Sequence, residues 1–376
     1  MASRIFLLLR PISLMGLCAI GLNAQVWEVV TSGADSNLRA ISAGSLDGTV
    51  LGKPVVWAAG SNGTVLVSQD EGKRWKRLTV KGGEQLDFRG IVAFDGSTAY
   101  LMASGEGEKS RIYKTSNEGA DWELLYSDAR KEFFLDAIAC LSEKECYALG
   151  DPIEGKFVVL RTQDGRRWEA LPADDLPPAL PKEGAFAAGN SCLAIDRGGG
   201  IYFVTGGPAA RVFHSADAGR TWKTVEVPLA KGNESSGAFS VAVDSKTIVV
   251  VGGNYREPGN SDSAAAYSQD GGATWRVAEG HPGGFRSGVA MFDHSFNVAV
   301  GTNGTDMSMD SGAHWKPTEP VALNALTPDS IHGMWGAGPK GTVARFHDPV
   351  QHEIQRRTPR EGTEATVAKT EASHVR

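Results

Sequence analysis

The sequence predicts an all-β fold: a seven-bladed β-propeller of four-stranded antiparallel blades, its ring closed by an N-terminal strand at Trp27. Three observations carry this reading. First, the motif S-x-D-x-G-x-x-W recurs at Ser68–Trp75, Ser215–Trp222, Ser268–Trp275 and Ser308–Trp315. Degraded copies stand at Thr115–Trp122, with Asn117 in place of the Asp, and at Thr162–Trp168, one residue short. Second, the tryptophans that end these copies are 47, 46, 54, 53 and 40 residues apart, the length of a four-stranded propeller blade. Third, the two ends are incomplete in complementary ways. Trp27-Glu-Val-Val30 reads as a box-closing strand with no box before it, and Met334-Trp-Gly-Ala-Gly-Pro-Lys-Gly-Thr-Val343 has strands but no closing Trp. The N-terminal strand would then be the outer strand of the last blade, leaving no gap between the first blade and the last.

Each repeat has a physical logic. A short apolar run such as Thr64-Val-Leu-Val67 precedes it and a Trp-led run such as Trp75-Lys-Arg-Leu78 follows, which reads as strand, turn, strand. The Asp accepts hydrogen bonds from the turn's own N–H groups. The Gly supplies a positive φ at no steric cost, and the Trp buries a large apolar area between units. The motif resembles the Asp-box, or BNR repeat, of sialidases, sortilin and xyloglucan-cleaving propellers. That resemblance covers roughly residues 27–346 and implies a structural role for Asp70, Asn117, Asp164, Asp217, Asp270 and Asp310, remote from any chemistry.

Along the chain, Arg4 and Arg10 precede an apolar stretch, 12–22, followed by Asn23-Ala24-Gln25, the pattern of a signal peptide cleaved after Ala24. The expected organisation is residues 1–24 as signal peptide, 25–347 as propeller and 348–376 as a charged, disordered tail. No later run is long enough to span a membrane, so the protein is expected to be periplasmic or secreted, and monomeric. With 46 Gly, 8% aromatics and a net charge of −6, it reads as a turn-rich globular protein and not a nucleic-acid binder. Cys140 and Cys146 flank a short polar connection between two strand-like runs. They are candidates for a disulfide in an oxidising compartment, which leaves Cys192 as a buried small hydrophobe.

The starts of the inner strands align as Leu38-Arg-Ala-Ile41, Phe88-Arg-Gly-Ile91, Leu135-Asp-Ala-Ile138, Phe285-Arg-Ser-Gly288 and Leu323-Asn-Ala-Leu326. Blades four and five are read as starting at Glu183-Gly-Ala-Phe186 and Ser236-Gly-Ala-Phe239. A polar residue thus recurs before a small one at the mouth of the central channel. The long irregular segments fall on that face, opposite the boxes, and long loops on a rigid scaffold are where binding concentrates. The candidate ligand-binding residues are Arg39, Arg89, Asp136, Asp151, Glu183, Tyr255, Arg256, Arg286 and Asn324. They form either a polar funnel for an anionic, zwitterionic or polypeptide ligand, or charges that pair with one another and seal the channel.

Three function classes follow. The h-x-A-I inner strands, the boxes and the final Gly-x-x-Gly-Thr-Val-Ala-Arg-Phe346 resemble the photosystem II stability/assembly factor family and its bacterial relatives that carry BNR-repeat, oxidoreductase or glycosyl hydrolase labels. That resemblance implies an exported, non-catalytic seven-bladed scaffold for a protein partner. The chain departs from the family in offering only Arg39, Arg89 and Arg286 where an arginine-rich patch is implied. The second class is a glycoside hydrolase, which needs two carboxylates flanking the scissile bond; Asp136, Asp151 and Glu183 are the available set, and a saccharide the ligand. A sialidase is disfavoured because no F/Y-R-I-P segment occurs in the mature chain. The third is an oxidoreductase, against which stands the lack of a dinucleotide fingerprint, of C-x-x-C and of metal-ligand His spacing. No cofactor and no metal are expected.

Overall fold

In the computed structural model, residues 26–45, 52–329 and 333–347 are described. The expected signal segment and the charged tail lie outside them. The described chain is built of β-strands with three single-turn 3₁₀ segments. The strands fall into consecutive antiparallel groups of four, spanning 38–78, 87–127, 135–170, 193–226, 233–277 and 288–317. A last group, 325–346, supplies three strands, and Trp27–Thr31 pairs with its final strand Thr342–Phe346, Trp27 opposite Phe346.

The second strand of most groups is mainly apolar, as in Pro54–Gly60, Ala99–Ser104 and Ile201–Gly207, where every residue is buried. Such strands are covered on both faces, so they read as continuous runs and not as an alternation. The core lies between adjacent groups: Val65 and Leu78 of the first pack with Phe88, Leu101 and Tyr113 of the second. Trp122 of the second group meets Trp57 of the first edge to face at 6.2 Å. Trp27, Trp57 and Trp335 are completely buried.

The boxes close on themselves as their residue types demand. In the first, Arg74 donates its backbone N–H to Asp70 Oδ1 (2.8 Å), Gly72 N–H donates to Ser68 Oγ (2.9 Å) and Trp75 Nε1–H to the Gly72 carbonyl (3.1 Å). The same bonds recur at Asp217, Asp270 and Asp310. The side chain and then the backbone N–H of Arg74 hold the Asp70 carboxyl down to about 2; the hydroxyl and then the backbone N–H of Thr274 do the same for Asp270, and the backbone N–H and then the hydroxyl of Thr221 for Asp217. The degraded copies keep the turn, with Asn117 and Asp164 as acceptors. They lose the indole bond: Nε1 of Trp122 and of Trp168 is buried without a partner. Gly72, Gly119, Gly219 and Gly312 of the boxes approach the preceding group closely. A Cβ on Gly72, whose φ is +81°, would lie 2.8 Å from the Trp335 ring.

Two features were not legible in advance. The fourth group does not begin with a regular strand at Glu183. Its first strand is only Leu193–Ile195, and residue 184 makes a single bridge to Gly206. The fourth and fifth groups are also hydrogen-bonded to one another through Gly206 and Gly207 against Gly237 and Asn233, merging them into one eight-stranded sheet. Glycines permit that seam, since a Cβ on Gly237 would sit 2.3 Å from Gly206 Cα. Cys140 and Cys146 are joined by a disulfide across the end of a hairpin, and Cys192 is free and buried.

Candidate functional site

The strand register builds the site. In four groups the first strand carries a β-bulge at the same place, and one residue is left out of the ladder: Arg39 between Leu38 and Ala40, Arg89 between Phe88 and Gly90, Asp136 between Leu135 and Ala137, Phe239 between Ala238 and Ser240. A bulge re-aims the extra side chain. All four line one cavity of about 460 Å³, together with Asp151, Phe186, Tyr255, Phe285, Ser287 and Asn324. Each bulge lies opposite the far end of the second strand, as Leu38 lies opposite Gly60. The box-bearing end of the third strand pairs with the near end of the second, Ser68 with Val56. The cavity and the boxes therefore occupy opposite ends of the strands.

One wall is charged. Arg89 donates from Nε to Asp87 Oδ2 (2.7 Å) and from Nη1 to the Ala187 carbonyl (3.1 Å). Arg39 forms no ion pair among the described residues, and its Nε is buried without a hydrogen-bond partner. Burial and the neighbouring Arg89 charge lower its pKa, with Asp87 opposing. Asp136 is 1% exposed and its Oδ2 has no partner. Burial and then the Asp151 charge push its carboxyl well above the usual carboxylate range, against the pull of Arg89. Asp151 accepts the Ala185 N–H at Oδ1 (3.0 Å), and burial raises its pKa to about 6.

The opposite wall is aromatic. Phe186 and Phe239 stack in parallel with ring centres 3.7 Å apart. Phe285 meets Phe239 edge-on at 4.7 Å and Tyr255 meets it at 6.2 Å. The sequence reading quoted both stacked phenylalanines only as strand residues and missed this wall. Their position two residues after Gly184 and Gly237 in matching Gly-Ala-Phe triplets was the available signal.

Several expected site residues are elsewhere. Arg286 does not line the cavity: it is 2% exposed and ion-paired with the fully buried Asp306, and its Nη1 donates to the Phe285 carbonyl and Asn303 Oδ1. The cause is a one-residue offset. Gly301 packs on the Phe285 carbonyl as Gly60 packs on that of Asn37, a Cβ on either falling 2.2 Å from the oxygen. Arg286 thus takes the place of Leu38, and Ser287 that of Arg39. A shift of one residue reverses a side chain's face. Glu183 is likewise outside the cavity, 5% exposed, clamped by Arg211 and by the hydroxyl of Thr205. Arg256 is exposed, its guanidinium 5.8 Å from the Tyr255 ring centre. Asn324 lines the cavity, but its Nδ2 is committed to Asn37 Oδ1 and the Leu38 carbonyl, both at 2.7 Å.

Arg39, Arg89, Asp136, Asp151, Tyr255 and Asn324 are thus brought together, and Arg286 and Glu183 are not. Among the described residues no group of three or more His, Cys, Asp or Glu is placed to hold a metal ion, and no helix is long and apolar enough to cross a membrane.

No protein-family model and no curated protein sequence matches the chain. Solved structures do match in fold. YCF48 bound to a D1 peptide superposes with a TM-score of 0.61 at 16% identity, over 87% of this chain and 98% of that one. YCF48 from Cyanidioschyzon merolae gives 0.60 at 16%, over 86% and 99%. The GH74 xyloglucanase from Xanthomonas campestris gives 0.58 at 15%, over 85% of this chain and 53% of that one. All are β-propellers, and the likeness establishes that fold for this chain.

Proposed function

We propose that this protein is an exported, non-catalytic binding scaffold. In this reading it is a seven-bladed ring closed by the strand at Trp27, with residues 1–24 removed on export. It captures a protein partner or a smaller polar ligand at the bulge-lined cavity. The observation that carries the reading is the cavity's composition. A buried arginine atom and a buried carboxylate oxygen lie unpaired on one side of a space whose other side is a phenylalanine stack. Leaving such groups unsatisfied costs stability, and a ligand that meets both of them offsets the cost. Ring closure is supported by the pairing of Trp27–Thr31 with Thr342–Phe346 and by bonds from Leu38 N–H to the Gly338 carbonyl and from Asn324 to the Leu38 carbonyl. The fold's likeness to YCF48, solved with a bound D1 peptide, supports a protein ligand. The test is capture of partners on the immobilised protein from the exported fraction of its own cell. A partner recovered by the unaltered chain and by Asp217→Ala, and lost with Arg39→Ala or Phe239→Ala, supports the proposal; recovery independent of the cavity variants overturns it.

The second reading is glycoside hydrolysis. It is favoured by the GH74 likeness and by Asp136 and Asp151 lining one cavity, both carboxyls pushed up by burial, since such hydrolysis needs a pair of carboxyl groups. Glu183, held by Arg211, has no part in it. Release of reducing sugar from xyloglucan that disappears in Asp151→Asn would establish this reading in place of the first.

A further inference from the structure

The cavity has two unsatisfied ends, one a carboxyl and one a guanidinium. Asp136 Oδ2 is buried without a partner, and the one cation acting on it, Arg89, is committed to Asp87 and to the Ala187 carbonyl. Arg39 Nε is buried without a partner, and among the described residues no carboxylate is paired with the side chain. The two do not satisfy each other, because the strand bearing Arg89 stands between them: 38–45 packs on 87–93, which packs on 135–140. An anionic ligand would satisfy Arg39 and leave Asp136 orphaned, and a cation would do the reverse. A ligand carrying both charges satisfies both.

We infer that the cavity binds a short peptide by its two free termini, the α-ammonium at Asp136 and Asp151, the α-carboxylate at Arg39, and an apolar side chain against Phe186 and Phe239. This rests on the reading of the cavity as a ligand site and narrows it. Size agrees. A space of 460 Å³ equals a sphere about 10 Å across, and two or three extended residues reach roughly 7–11 Å. Chemistry agrees as well. A carboxylate at an arginine gains charge-assisted hydrogen bonds, and a phenyl stack offers a flat apolar surface to a side chain. An ammonium brought to Asp136 and Asp151 favours their ionised forms, so binding releases protons. The other groups acting there are the Arg89 guanidinium and the buried Cys192 thiol, which is neutral.

The experiment is titration calorimetry of the full chain with the tripeptide Ala-Phe-Ala, its N-acetylated form, its C-amidated form and a xyloglucan oligosaccharide. The free tripeptide is expected to bind, and each cap to weaken binding at least tenfold. Asp136→Asn and, as a second variant, Asp151→Asn should abolish the distinction between free and acetylated peptide, and Arg39→Ala that between free and amidated peptide. Heats measured in buffers of different ionisation enthalpy should show proton release with the free and the amidated peptide, whose ammonium is intact, and none with the acetylated one. Equal binding of the capped forms overturns terminal recognition and leaves cavity binding standing. No peptide binding, with partner capture still dependent on Arg39, overturns the inference alone. Oligosaccharide binding without peptide binding overturns both.

Discussion

Arg89 Nε lies 2.7 Å from Asp87 Oδ2, two residues back on the same strand, so this cavity arginine is already paired inside its own blade. Arg39, at the matching bulge one group earlier, has no such partner. The two residues are equivalent in the fold and different in role. Arg89→Ala should lower stability by about 0.5–1 kcal/mol, the scale of a partly exposed pair, because it leaves the Asp87 carboxylate unmatched. Arg39→Ala should leave stability unchanged or slightly raised. Urea unfolding of the two variants side by side checks this; equal losses would show that Arg39 is also a structural cation.

Asp151 gives the cavity a pH signature. Its folded pKa of about 6 exceeds its ordinary 3.8, so the native state binds the proton more tightly than the unfolded chain. Its contribution to stability is therefore greatest below about pH 4, falls as pH rises towards 6, and stays reduced above. Asp151→Asn removes that penalty and can still accept the Ala185 N–H. It should stabilise by on the order of 2–3 kcal/mol at pH 8 and by little at pH 4. Denaturation at the two pH values decides it, and an equal effect at both would mean that the carboxylate is not desolvated.

The box turn holds a left-handed non-glycine residue in several copies: Ala218 has φ +59°, where the fifth box has Gly271 at +74°. Left-handed backbone costs a side-chain-bearing residue about 1–2 kcal/mol, part of which glycine returns through the freedom of the unfolded chain. Ala218→Gly should raise stability by about 0.5–1 kcal/mol, seen as a higher Tm with unchanged ligand capture. A lower Tm would show that the Ala218 methyl contributes more by packing than it costs in strain.

Trp27 is completely buried, donates from Nε1 to Thr305 Oγ1 (3.1 Å) and meets Phe346 edge-on at 5.1 Å. If its strand closes the ring, Trp27→Ala should cost about 3–5 kcal/mol and speed amide exchange in Thr342–Phe346, whose edge would open. Unchanged exchange there would sink the closure.

The boxes were legible because their logic is local: Ser, Asp, Gly and Trp satisfy each other within eight residues. The bulged arginines and Asp136 were legible as a recurring polar residue before a small one. The rule failed at Phe285-Arg-Ser-Gly288 because two residues satisfied it, Arg286 before Ser287 and Ser287 before Gly288. The register is set by Gly301 on the opposite strand, whose likeness to Gly60 was visible in Gly301-Thr-Asn-Gly304 against Gly60-Ser-Asn-Gly63. The partners of Arg286 and Glu183, Asp306 and Arg211, lie 20 and 28 residues away and are joined to them only by the sheet. Phe186 and Phe239 come together through the seam between two blades, which no single repeat encodes.

In the proposed function, partners bind at the bulge-lined cavity and not at the box face. The most direct measurement is partner capture and Tm on the same pair of variants. Arg39→Ala should keep its Tm and lose the partner; Asp217→Ala, which removes the acceptor of three box bonds, should lower Tm and keep it. The opposite pattern, capture surviving Arg39→Ala and lost in folded Asp217→Ala, would place binding at the box face and overturn the proposed site.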